Sequence, residues 1–166
     1  MKKLAVLGLI LLLHLNPDVL GLGMHLTLDD KVTKSDAVLR IRAVDVSDFP
    51  LNEGQTFTYH GIAKCEILEV YKGTNLKVGS HLMIPCNYDF DDSPSGPQDQ
   101  TEYIAFLDIW EYAHFAHPIS AYGLHEIQDG QIATNGYPFK SAKRGAKIDT
   151  VESFVDQIQK IISPKN

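Results

Sequence analysis

A mainly β domain, closed into a small barrel and followed by one packed helix, is the class this sequence predicts. Three observations carry it. Several segments alternate apolar and polar residues with period two, as half-buried strands do. Gly, Pro, Asn and Asp punctuate the chain between those segments. Sustained 3.6-residue spacing appears near the C-terminus, where it marks an amphipathic helix. Five or six strands bracketed by two helices suit a small barrel, with a sandwich as the alternative by pattern alone.

The chain of 166 residues opens "MKKLAVLGLILLLHLNPDVLGLG". Lys2 and Lys3 precede an apolar run, Leu4 to Leu15, that is too short to span a membrane as a helix. This is the pattern of a secretory signal, with Gly21 and Gly23 as the small residues before a cut. We place the signal peptide at residues 1–23 and a single domain at 24–166, in a secreted or periplasmic protein. Removing the signal takes two lysines and one aspartate from totals of 15 basic and 21 acidic residues, leaving 13 and 20 and a formal charge of −7. That balance argues against nucleic acid and against a polybasic lipid contact. No second long apolar run follows, so no membrane insertion is expected of the mature chain.

Thr27 and Asp30 have the spacing of a helix start before "LDDKVTK", which predicts one or two turns covering a barrel end with Leu28 and Val32. "DAVLRIRAVDV" (36–46) then alternates: Val38, Arg40 and Arg42 face one way, Leu39, Ile41 and Ala43 the other. A loop with Pro50 and Gly54 leads to a long extended segment, Phe57 to Lys72. After Gly73-Thr74-Asn75 comes "SHLMIPC", where Pro85 removes one ladder donor. The stretch from Asn87 to Gln100 is rich in Asp, Ser, Pro and Gly and reads as a long exposed loop. "TEYIAFLDIW" (101–110) reads as a central strand, with Tyr103, Ala105 and Leu107 opposite Ile104, Phe106 and Asp108. Two short strands flank the turn Gln128-Asp129-Gly130. The C-terminal helix, 149–162, is predicted from an Asp149/Glu152 capping pair and from Val151, Phe154, Val155, Ile158, Ile161 and Ile162 on one face.

The two cysteines, Cys65 and Cys86, fall in adjacent predicted strands. A tight loop at Thr74–Lys77 would set Ile67 opposite Ile84 and Cys65 opposite Cys86. Opposed residues stand about 4.5–5.5 Å apart at Cα, within reach of a disulfide. An oxidising compartment favours the bond. The staple is the leading expectation, and it depends on that register. Two separate buried thiols, or a reactive or metal-binding pair, are the alternatives; no C-x-x-C supports a redox motif.

Candidate contact residues lie in the acidic loop. Tyr88 and Phe90 are aromatics beside Asp91 and Asp92, a set suited to anchoring a protein partner. His114 and His117 stand three apart and could share a metal if their segment turned like a helix, which gives a second reading as a periplasmic metal-handling protein. The sequence has no G-x-S-x-G, H-E-x-x-H, S-x-x-K or phosphate-cradling glycine loop, and nothing in it calls for a cofactor. A non-enzymatic binding protein is the expectation.

"SDAVLRIRAV" (35–44), "CEILEVYKG" (65–73) and "TEYIAFL" (101–107), in that order, resemble the netrin-like module. This is the module of the inhibitory domain of tissue inhibitors of metalloproteinases and of bacterial secreted relatives. The resemblance covers roughly residues 28–136 and implies a five-stranded OB-type barrel with helices alongside. In the animal inhibitors a cysteine at the mature N-terminus chelates the protease zinc. Here no cysteine precedes Cys65, so that role transfers to no residue of this chain.

Overall fold

We describe the protein from a computed structural model, in which residues 26–48, 61–88, 94–110, 115–120, 123–134 and 147–164 are described. Helix α1 (Leu28–Lys34) precedes strands β1 (Ala37–Asp48), β2 (Gly61–Lys72), β3 (His81–Tyr88), β4 (Pro94–Ser95) and β5 (Glu102–Trp110). Then follow β6 (Phe115–Pro118), β7 (Leu124–Gln128), β8 (Gln131–Ala133), β9 (Ile148–Thr150) and helix α2 (Val151–Ile162). The predicted signal segment lies outside the described residues, and among these no helix is long and apolar enough to cross a membrane.

Five strands close a barrel in the order β1-β2-β3-β6-β5, with β5 returning to β1. All its ladders are antiparallel except the parallel contact of Met83 with Phe115 between β3 and β6. Strand β5 is the hub. One edge pairs with β1, while the other pairs with β6 at Leu107–Trp110 and with β7 at Glu102–Ala105. Strands β7, β8 and β9 extend the sheet beyond the closed ring. The β7–β8 turn needs two successive positive φ angles, met by Asp129 (51°) and Gly130 (73°), as a two-residue hairpin turn requires.

Alternation in β1 and β5 divides the apolar residues into two cores. Leu39, Ile41, Ala43, Tyr103, Ala105 and Leu107 fill the barrel together with Ala63, Cys65, Ile67, Leu82 and Ile84. Val38, Ile104 and Phe106 point outward and are covered by Val32 of α1 and by Phe154 and Ile158 of α2. Leu28 and Val32 thus belong to this layer on the barrel's flank. Burying the apolar stripe of α2 supplies most of what holds so short a helix together.

The helix termini follow from local chemistry. At α1 the predicted capping box forms: Thr27 Oγ1 accepts from the Asp30 amide at 3.1 Å, and Asp30 Oδ2 from the Thr27 amide at 3.3 Å. Its C-terminal carbonyls are bound by Lys72, whose Nζ donates to Val32, Ser35 and Thr33 at 2.7, 2.6 and 3.2 Å. At α2 the cap is one residue later than predicted. Thr150 accepts from the Ser153 amide, while Asp149 accepts from the Thr150 amide and from the Ser153 hydroxyl.

The cysteine register differs from expectation. The β2–β3 ladder sets Cys65 opposite Leu82 and Cys86 opposite Gly61, four residues away from the facing pair predicted above. Four residues of strand span about 13 Å, beyond the roughly 4.4–6.8 Å Cα window of a disulfide. Both cysteines are free and buried in the barrel core. The cause is a wider connection than the tight loop assumed. Strand β2 runs on to Lys72 along β1 alone, and Gly79 donates back to the Ile67 carbonyl at 2.8 Å. Positive φ angles at Gly73, Asn75 and Gly79 allow that return.

Two further differences concern segments not read as strands. The 87–100 stretch folds back in part, with Pro94 and Ser95 pairing with Tyr88 and Asn87. Gly96 then lies so close to Cys86 that an added Cβ would stand 2.9 Å from Sγ. The segment just past Trp110 contains a strand, β6, whose Ala116 completes the barrel interior.

Candidate functional site

The barrel wall carries an outward row built by strand pairing. In β5 the even-numbered residues face away from the interior, which aims Asp108 and Trp110 outward. Trp110 pairs with Phe115, Phe115 with Met83, and Met83 with Lys64, so one row crosses β5, β6, β3 and β2. Trp110 is 54% exposed, and its ring stacks on His117 with centroids 6.4 Å apart and planes 11° from parallel. Indole stacking of this kind fixes a large aromatic surface in one orientation.

A second row lies beside the first. Asp108 pairs with His117, and because Ala37 pairs with Leu107, Asp36 stands next to Asp108 across the β1–β5 edge. Asp36 Oδ2 accepts the Ile109 amide at 3.0 Å, which holds that carboxylate at the rim. Burial and the neighbouring Asp36 charge push the Asp108 carboxyl above the usual carboxylate range, against a smaller opposing effect of His117. The face therefore combines an anchored aromatic, half-buried apolar neighbours and two adjacent carboxylates.

A different polar network lies on the same sheet nearer α2. Glu102 Oε2 accepts from Arg40 Nε and Nη2 at 3.1 and 2.8 Å, and Oε1 from Arg42 Nε and Nη2 at 3.2 and 2.6 Å. Arg40 Nη1 also donates to Glu69 at 3.0 Å, and Glu69 accepts from the Tyr71 hydroxyl at 2.9 Å. An open cleft of about 520 Å³ lies beside it, lined in part by Arg40, Glu102, Glu126 and Glu152. The guanidinium of Arg40 is bound on both sides by carboxylates, which makes the network a brace between β1, β2 and β5.

The one buried ion-bearing pair described sits under the helices. Lys31 Nζ donates to His125 Nε2 at 2.9 Å, and His125 Nδ1 donates to the Ala133 carbonyl at 2.9 Å. A carbonyl on one nitrogen and an ammonium on the other place the imidazole proton on Nδ1. Phe106 and Phe154 pack on the ring with centroids at 5.4 and 5.1 Å. Burial lowers Lys31 to about 8, and burial with the Lys31 charge lowers His125 to about 3. Lys31 was hidden in the sequence by its charge, although it lies three residues from Leu28 on the apolar stripe of α1.

Of the residues singled out from sequence, Tyr88 lies in β3 with its backbone paired to Pro94, while Phe90, Asp91 and Asp92 lie outside the described residues. His117 lies in β6, and His114 is outside the described residues. No group of three or more metal-ligating side chains comes together among the described residues. Cys65 and Cys86 share the barrel core, where burial pushes their thiols up to about 12 and about 11. The pairing of Trp110 with Phe115 and its stack on His117 could not be read because "FAHP" is too short to announce a strand. The available signal was Trp110 at the same parity as Asp108, hence on the outer face. Compared with known proteins, the chain matches no family model and no curated sequence.

Proposed function

We propose that this protein is a secreted or periplasmic, non-enzymatic barrel of netrin-like type that binds another protein through the wall around Trp110. One observation carries the reading: a large aromatic side chain, 54% exposed, held by a stack on His117 amid half-buried Phe115 and Met83. Exposed apolar surface on a folded domain marks interaction sites, and tryptophan is over-represented among residues that dominate binding energy. A five-strand barrel flanked by two helices agrees with the architecture the resemblance implies, although a barrel of this kind hosts many functions. The basic start and apolar run of the first residues support export.

Immobilised wild type and Trp110→Ala should be compared for capture of proteins from the secreted fraction of the producing cells. The reading expects a specific band with the wild type that is lost with Trp110→Ala, at a melting temperature within about 2 °C of wild type, as for a surface change. Equal capture by both proteins would refute it.

A further inference from the structure

We propose that the Trp110 face receives an arginine-bearing segment of the partner protein, with the guanidinium placed between the exposed indole and the carboxylates of Asp36 and Asp108. The inference rests on the protein-binding reading above and adds the chemistry of the partner. Charge complementarity selects it. Asp36 and Asp108 are neighbours across the β1–β5 edge, two carboxylates facing the same side as Trp110. A guanidinium brings a planar fork that satisfies carboxylates while stacking on an aromatic ring, which an ammonium does not do. Cation–π attraction is strongest over tryptophan. His117 stacks on one indole face, so the guanidinium takes the other, and the neighbouring Phe115 and Met83 offer an apolar surface for the side chain that precedes or follows the arginine. Lys64 closes the far end of the row and sets the direction, since a cation there would be repelled. The formal charge of −7 on the mature chain adds long-range attraction for a basic segment.

Trp110 is the chain's single tryptophan, so its emission reports this face alone. The test is a titration of the full-length mature protein with an acetylated, amidated tetra-arginine peptide, with tetralysine and tetraglutamate in parallel. We expect a saturable change in Trp110 emission with the arginine peptide, at least fivefold weaker binding of tetralysine, and none of tetraglutamate. Asp108→Asn should weaken arginine-peptide binding at least fivefold. Asp156→Asn, which removes the same charge from the exposed Asp156–Lys160 pair on α2, should leave it unchanged. No saturable change, or equal weakening by both substitutions, would overturn the proposal. So would an emission change that follows protein concentration without peptide, because a second copy would then occupy the face. If the arginine peptide fails while Trp110→Ala still abolishes partner capture, only the partner's chemistry falls; failure of both removes the face itself.

Discussion

Lys31 Nζ stands 2.9 Å from His125 Nε2 inside the layer that joins both helices to the barrel. A positive charge is thus hydrogen-bonded to a neutral imidazole under two phenylalanines. The His125 value in the fold, about 3, is below the ordinary 6.5, so between these pH values the unfolded chain binds the proton and the folded chain does not. Stability therefore falls as pH drops from 6.5 toward 3, with a slope approaching 1.4 kcal/mol per pH unit for one proton. Lys31, lowered from 10.5 to about 8, has the same sign: stability rises as pH goes from 8 to 10.5. Urea denaturation across pH should show both slopes. The double substitution Lys31→Met with His125→Leu should flatten both, and slopes that persist would show that other groups cause them.

Glu102 ties two arginines of β1 to β5. Burial raises its carboxyl, but the hydrogen bonds from Arg42 and Arg40 outweigh that and hold it below the ordinary range. A depressed carboxylate stabilises the fold above its unfolded value and loses that contribution as pH falls through the folded one. Glu102→Ala should cost about 1–3 kcal/mol at neutral pH, since it leaves charged donors without their acceptor. Glu102→Gln should cost less. Chemical denaturation of the two variants checks the order, and a neutral Glu102→Ala would show that solvent replaces the brace.

The two thiols provide a third prediction. They are free, buried and four rungs apart on the ladder, and burial keeps them protonated at neutral pH. A thiol reagent should leave the native protein unlabelled and modify both cysteines after unfolding without reductant, because the thiolate is the reactive form. Added reductant should not move the melting temperature. An unlabelled unfolded protein would mean a disulfide and would contradict the β2–β3 register.

Much of this fold could be read directly. Period-two alternation assigned the two faces of β1 and β5 residue by residue, and the Thr27–Asp30 box and the α2 stripe located both helices. The cysteine pairing could not be read the same way. Register depends on how far β2 runs before turning, and that length is set by its pairing with β1, a contact distant in sequence. The Trp110 wall was obscured for a related reason. Trp110 lies in β5, His117 in β6 and Asp36 just before β1, and the Trp110–His117 stack depends on β6, a strand of four residues whose alternation is too brief to recognise. Lys31 and His125 meet across 94 residues of sequence, in a contact local pattern does not encode.

The claim that most needs testing is that the Trp110 wall is where a protein partner sits. A photo-crosslinking amino acid at position 110 tests it directly, with the same probe at Val78 as control. Val78 is 66% exposed in the β2–β3 connection and outside the aromatic row. After irradiation in the secreted fraction of the producing cells, the position-110 probe should yield one discrete adduct identifiable by mass spectrometry, and the position-78 probe should not. Equal labelling from both positions, or no adduct from position 110, would contradict the account.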